Sequence, residues 1–300
     1  MSFRASTIGE LAEAQMQSSS EGRATRVFRR SVYVETGEGL VLLLQGELKS
    51  PMTVNVESEA SLEGLISAEE RCAIDRETIR FARATVVKRG AKLYRSELFA
   101  PAKVNVLAKE ELRKGAVAMQ LLYQVSAQSV DLVGSMAFSG FIESIVRPLG
   151  KRDERAVHRV ENYLPLIGMG GGFTPSGDDF VAGFVSTYNF VARSNGSEEI
   201  NLPFGSVAER TVPESARMLE YAQRGHVDEE LSGLILSAVT TNHRMFWESL
   251  LRVAGRGHTS GIDMSLGVIL ASATLAEARG EPGATENVVQ VLGGFERFNE

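Results

Sequence analysis

Residues 167–183 read IGMGGGFTPSGDDFVAG, a glycine-rich loop running into the start of a helix. Gly168, Gly170, Gly171 and Gly172 crowd the loop. Glycine reaches backbone conformations closed to other residues and puts no side chain in the way of an approaching group. Pro175 stiffens the loop, and Ser176 takes the N-cap position three residues before Asp179, close to a capping-box pattern. Phe180, Val181, Phe184 and Val185 then supply an apolar helix face. A helix N-terminus carries unpaired N–H groups and about half a positive charge, so a glycine loop leading into it predicts an anion cradle. The spacing is not that of the P-loop, because no GK[ST] comes after it, and no clear strand precedes it as the dinucleotide fingerprint requires. Capping alone is worth about 1 kcal/mol and calls for neither a run of glycines nor two adjacent acids.

The frame recurs. Ser260-Gly261-Ile262-Asp263-Met264-Ser265-Leu266-Gly267 repeats the SGxDxxxG of Ser176–Gly183 at an offset of 84 residues, and each copy opens an apolar stretch. Two helix starts aimed at one pocket would share one small anion, or hold a charged substrate at both its ends. The expected ligand contacts are Gly170, Gly171, Gly172, Thr174, Ser176 and Gly177 from the first copy, and Arg256, Thr259, Ser260 and Gly261 from the second. Arg256 could fork onto a phosphate or carboxylate. His258, in a glycine-flanked loop, could work as an acid or base near neutral pH. Asp178, Asp179, His258 and Asp263 are the candidate catalytic groups; the three aspartates could alternatively hold Mg2+, whereas they lack the histidine or cysteine partners of a zinc site. His158, His226 and His243 read as structural or surface residues.

Outward from these motifs, the 300-residue chain is 43% hydrophobic and 23% charged, with a net charge of −6. A core is easily built, and the acidic balance argues against nucleic acid or an acidic membrane as the main partner. One cysteine, Cys72, rules out an internal disulfide and fits a reducing cytoplasm; it reads as a buried neutral thiol. The first residues contain no continuous apolar signal region, and no membrane span is expected. Residues 1–17 suggest a short helix. Residues 26–34 (RVFRRSVYV), 40–44, 52–56, 79–87, 92–95 and 104–107 suggest antiparallel strands joined by short turns. From 109 onward the spacing is helical: 109–124, 131–146 (ended by Pro148-Leu149-Gly150), 151–162, 178–192, 206–223, 228–240, 243–254 with Asn242 as cap, 262–278, and a last turn at 288–292. The expectation is an α+β chain with an N-terminal antiparallel β-sheet domain over 1–107 and a larger, mainly α-helical domain over 108–300.

GMGGGFTPSGDDFVAGF together with GHTSGIDMSLGVILA resembles the AllH-like family, which includes the AllH subunit of bacterial oxamate carbamoyltransferase and members of unassigned function. The family's Gly-x-Gly-Pro-Gly-Leu-Thr-Pro-Ser-Gly-Asp-Asp loop is matched at Gly168, Gly170, Gly172, Thr174, Pro175, Ser176, Gly177, Asp178 and Asp179. Its Gly-His-x-Ser-Gly-x-Asp segment is matched at Gly257, His258, Ser260, Gly261 and Asp263. The chain departs at Gly171, where the family tends to proline, and at Phe173, where it tends to leucine. The resemblance implies exchange of oxalurate and phosphate for oxamate and carbamoyl phosphate in purine or nitrogen catabolism, with partner subunits. Two alternatives stand beside it: a Mg-nucleotide-dependent phosphotransferase or ligase, and a non-catalytic ligand-binding or assembly subunit.

Overall fold

The structure is a computed structural model; it describes residues 1–37, 39–98, 104–126, 132–151, 153–171 and 173–293. The chain divides into two compact units, Met1–Glu97 with His226–Glu229, and Leu98–Gly225 with Glu230–Glu300.

In the first unit the strands are β1 (Ser2–Gly9), β2 (Glu21–Val27), β3 (Ser31–Thr36), β4 (Leu40–Leu44), β5 (Thr53–Glu57), β6 (Arg71–Ile74), β7 (Thr78–Arg80), β8 (Thr85–Val87) and β9 (Lys92–Tyr94), with one helix, α1 (Glu10–Gln17), after β1. They run in the order β5-β4-β3-β2-β6-β7-β8-β1-β9, and β1 also pairs with β5, so eight strands close into a barrel with β9 added beside β1. Closure removes the exposed sheet edges. Phe3, Ala5, Val32, Val34, Leu43, Val54, Ile79 and Val86 fill the interior.

Several elements differ from the sequence expectation. Residues 1–17 are a strand before they are a helix: Phe3 and Ala5 point inward while Ser2 and Arg4 face out, a short alternation overshadowed by the helical spacing of residues 10–17. Residues 26–34 are two strands, because the chain reverses between Val27 and Ser31. The sheet is mixed rather than antiparallel: β4–β5, β1–β8 and β1–β9 are parallel. The β4–β5 connection doubles back over residues 45–52, held by buried Asn55, whose side-chain amide donates to the Gly46 and Leu48 carbonyls at 2.9 Å each. Residues 104–107 contribute only an isolated bridge at Asn105. Cys72 is buried on β6, and burial pushes its thiol up to about 11. Glu10 ties residues 226–229 into this unit, accepting from the Ser96 hydroxyl at 2.9 Å and lying 3.1 Å from His226 Nδ1.

The second unit is helical: α2 (Lys109–Val125), α3 (Met136–Phe141), α4 (Arg147–Gly150), α5 (Ser176–Asn195), α6 (Phe204–Ala208), α7 (Pro213–Gln223), α8 (Glu229–Val239), α9 (His243–Ala254), α10 (Ser260–Ala278) and α11 (Ala284–Gly293). The helix runs through Pro148 and ends at Gly150, as the Pro148-Leu149-Gly150 signal suggests. A π-turn, Ile142–Val146, joins α3 to α4, and Pro148 lies inside the continuous run. The Ser144 carbonyl, deprived of the proline's missing N–H, faces the Asn162 side-chain amide at 3.5 Å. Residues 151–162 form only two 3-10 turns, Glu154–Ala156 and Val160–Asn162, instead of a helix. Pro213 splits the expected 206–223 helix into α6 and α7. Asn242 caps α9 as its position suggests, accepting from the Met245 N–H at 3.1 Å.

α5 and α10 form the centre of this unit. Both are apolar nearly all round, and α5 is buried from Ser176 to Ala192, as expected of helices surrounded by others. α10 is long and apolar enough to cross a membrane, with a mean hydropathy of 1.3, yet 89% of that stretch is buried within the fold.

Candidate functional site at the paired helix starts

The repeated frame is a packing device before it is anything else. A β-carbon added at Gly183 would lie 2.1 Å from the Met264 carbonyl oxygen, and one added at Gly267 would lie 2.2 Å from that of Phe180. These contacts are reciprocal, since Gly183 and Gly267, and Phe180 and Met264, are equivalent under the 84-residue offset. The two helices therefore cross with local two-fold symmetry, backbone against backbone. Gly177 and Gly261 extend the likeness: a β-carbon at either would sit 1.8 Å from a carbonyl oxygen of the preceding segment, Leu166 in one case and Val253 in the other.

Asp179 and Asp263 each stand four residues before the crossing glycine of their own helix. That spacing puts both carboxyl groups on the faces the helices turn toward each other. Both residues are fully buried; neither carboxyl oxygen of Asp263 has a hydrogen-bond partner, and Asp179 has only the Ser260 and Thr174 hydroxyls beside it, without a well-formed bond to either. Burial pushes each acid up to about 8; for Asp179 the Ser260 and Thr174 hydroxyls and the positive charge of Arg256 act the other way, while Asp178 adds to the rise. At neutral pH the two groups are thus largely uncharged acids, each with one O–H to donate. The rings of Phe138 and Phe141 meet that of Phe180, the residue after Asp179, edge-on at 5.3 and 5.4 Å.

The Thr174 and Ser260 hydroxyls are 2.8 Å apart, bringing the glycine loop against the start of α10. Arg256 is half-buried in the turn before α10, its Nε 3.6 Å from a Glu230 carboxylate oxygen. His258 is exposed in the same turn. Gly170 adopts φ +105°, a conformation that favours glycine, and Gly171 is exposed. Gly172 lies outside the described residues.

Two sequence expectations change here, the Ser176 cap and the free N–H groups at the helix start. Ser176 is not the cap but the first residue of α5; Pro175 occupies the cap position, and no side chain closes it. Thr259 likewise precedes α10 without a side-chain cap bond. The N–H groups at the start of α5 turn inward, Gly177 to the Met169 carbonyl and Asp178 and Asp179 to that of Pro175; Gly261 and Asp263 donate to Arg256 and Thr259. Side chains therefore supply most of the chemistry on offer.

Asp178 behaves unlike its neighbour. It accepts from the Gly168 N–H at 2.8 Å and from the Thr211 hydroxyl, tying the loop to the segment before α7. Burial raises its pKa, and the bonds from Thr211, Gly168 and Ser215 oppose the rise. Asp178 does not converge with Asp179 and Asp263 on a common point: among the described residues, no group of three or more His, Cys, Asp or Glu side chains could hold a metal ion. The orphaned state of Asp179 and Asp263 left no separate mark in the sequence; only their equal place in the repeated frame singled them out.

The fold and this site define a class: an α+β chain with a closed barrel and a helical unit built on two glycine-crossed helices bearing matched buried acids. Residues 166–272, from the last turn before the glycine loop to the middle of α10, match the family described as oxamate carbamoyltransferase subunit AllH. That segment, just over a third of the chain, is similar to this family. No curated protein and no solved structure matches the chain.

Proposed function

We propose that this chain is a carbamoyltransferase-related subunit that holds a small anionic metabolite at the paired starts of α5 and α10. The observation that carries the reading is the pair of equivalent, fully buried acids, neither holding a well-formed hydrogen bond. A buried polar group left unpaired costs about 1–3 kcal/mol. Two of them at matched positions, in the segment similar to the AllH family, support a site kept open for a ligand. The metabolite would be oxamate or oxalurate with phosphate or carbamoyl phosphate as co-substrate.

In this reading the Thr174 and Ser260 hydroxyls hydrogen-bond a carboxylate or phosphate, and Arg256 lends positive charge. Gly170, Gly171 and Gly172 let the ligand approach the backbone, and exposed His258 stands at the rim. Phosphate oxygen attacks the carbamoyl carbon of oxalurate, the C–N bond breaks, and the departing amide nitrogen takes a proton. An uncharged acid titrating near 8 suits that donor role at neutral pH, and Asp179 is assigned to it. Asp178 holds the loop in place. Partner subunits would complete the catalytic assembly in the cytoplasm.

Thermal unfolding of the full chain with oxamate, carbamoyl phosphate or inorganic phosphate tests the reading. The expected result is stabilisation that is lost in Asp179→Leu and in Ser260→Ala while both variants remain folded. Stabilisation that persists in both variants would remove the site. Stabilisation by ATP only in the presence of Mg2+ would instead favour phosphotransfer.

A further inference from the structure

The barrel unit carries a polar cleft of its own, with a volume of about 940 Å³, the size of a metabolite or short-peptide site. It lies where β4 and β5 part. Their ladder stops at Leu44 opposite Asn55, while β5 continues beside β1 to Glu57. The chain leaving β4 forms one long wall, and that wall is held down along its length. Arg30 Nη2 donates to the Gln45 carbonyl at 2.9 Å, and the Gln45 side-chain amide donates to the Ala60 carbonyl. The buried Asn55 amide holds the Gly46 and Leu48 carbonyls. The Glu229 N–H donates to the Lys49 carbonyl at 3.0 Å, and the Lys49 ammonium pairs with the Glu229 carboxylate. A cleft walled in this way is formed before any ligand arrives, which lowers the cost of binding.

The lining selects against most ligand classes. Among the described residues, Val56 is the one apolar side chain on the walls, and no aromatic ring lies there. Nucleobases and sugars have nothing to stack on, and an acyl chain has nothing to bury against. The acids do not make a cation cage: among the described residues, no group of three or more His, Cys, Asp or Glu side chains could hold a metal ion. Both signs of charge face the cleft, and Lys49 and Glu229 satisfy each other. Among the described residues, the Arg29 guanidinium and the Glu47, Glu57 and Glu59 carboxylates have no ion-pair partner. A ligand of one sign is repelled by part of this set, whereas a dipolar ligand meets a counter-charge at each end. Beyond Asn55 the β4 side of β5 has no strand beside it, and such an edge pairs readily with an extended main chain.

We infer that the barrel cleft binds a short peptide with free termini, recognised through its main chain and its two terminal charges. The peptide lies along β5 beyond Asn55. Arg29 and Arg30, side by side in the turn between β2 and β3, take its carboxylate, which a guanidinium holds by paired N–H groups. Glu47, Glu57 and Glu59 take its ammonium group. The hydroxyls of Ser6, Thr7 and Ser58 offer both donors and acceptors to its amide groups. With little apolar surface on the walls, the cleft reads the backbone and not the side chains.

Calorimetric titration of the full chain with trialanine tests it, with N-acetyl-trialanine, trialanine amide, free alanine and inorganic phosphate as comparisons. Trialanine is expected to bind, and each blocked form to bind roughly tenfold more weakly, the size of one charge-assisted contact. Free alanine should also bind more weakly, since it cannot follow the strand edge. Arg29→Gln, which has no ion pair to lose, should weaken trialanine and leave trialanine amide unchanged. The triple variant Glu47→Gln/Glu57→Gln/Glu59→Gln should weaken trialanine and leave N-acetyl-trialanine unchanged. No binding of trialanine, blocked forms that bind as tightly as the free peptide, or alanine that binds as tightly as trialanine would each overturn the inference. Phosphate binding more tightly than trialanine, with loss in Arg29→Gln, would make the cleft an anion site and overturn it as well.

Discussion

The starts of α5 and α10 share a frame and differ in what surrounds it. At 179 and 263 both carry a buried acid without a well-formed hydrogen bond; at 183 and 267 both carry a glycine that touches the other helix's backbone. One position earlier than the acid, α5 has Asp178 and α10 has Ile262, which is simply buried. Where the first loop has Thr174, the second has exposed His258. Asp178 spends its carboxylate on Gly168 and Thr211, so the longer glycine loop is anchored. The shared positions thus set the helix crossing and the acid pair. The unshared ones anchor the first loop through Asp178 and leave His258 exposed in the second.

The sharpest way to break the equivalence is to fill the crossing. Gly183→Ala and Gly267→Ala each place a methyl group within about 2.2 Å of a backbone carbonyl, where no side chain can yield. Each should lower stability by about 1–3 kcal/mol, and valine at either position by more. Gly171→Ala, with nothing within 4 Å of the added carbon, should stay within about 0.5 kcal/mol. Urea unfolding checks all three, and a large loss at only one of Gly183 and Gly267 would show that the crossing is not two-fold.

A second comparison uses protons. Asp179 and Asp263 titrate near 8 in the folded chain against an ordinary 3.8, so between those values the folded state binds more protons than the unfolded. Stability from these groups is therefore fully present below about pH 4, falls as pH rises, and levels off above about 8. Each group contributes at most about 1.4 kcal/mol per pH unit to that slope. Urea midpoints at pH 5, 6, 7 and 8 should decline in the wild type. Asp179→Asn and Asp263→Asn should each remove a comparable share of the decline; a slope untouched by either variant would place the titration elsewhere.

How much of the molecule was legible in the sequence depends on the kind of interaction. The glycine loop, the repeated frame and the buried helices were legible, because periodicity and glycine spacing are local. The barrel was legible only as strands. Its closure rests on β1, whose outward Ser2 and Arg4 mask the alternation of Phe3 and Ala5, and on parallel pairings that no local pattern records. The helix end at Pro148-Leu149-Gly150 was legible, while the π-turn at Ile142–Val146 before it leaves no compositional trace. At the site, the positions of Asp178, Asp179 and Asp263 were legible but their division of labour was not. Whether a buried carboxylate finds a donor depends on Thr211 and Ser215, residues more than thirty positions away.

The smallest expected effect separates the two serines that open the frame. Ser260 holds its hydroxyl 2.8 Å from that of Thr174, a bond linking the glycine loop to α10. Ser176, its equivalent, closes no cap on α5. Ser260→Ala should therefore cost about 0.5–1.5 kcal/mol, a typical net hydrogen bond, and Ser176→Ala less than about 0.5 kcal/mol. If Ser176 were an N-cap as its place before Asp179 suggests, its removal would cost about 1 kcal/mol and the order would narrow or reverse. Thermal or urea unfolding of the two single variants and the Thr174→Val/Ser260→Ala double variant decides the matter. Coupling between Thr174 and Ser260 with none at Ser176 would mean that the loop is pinned across to the second helix, and not by the helix it leads into.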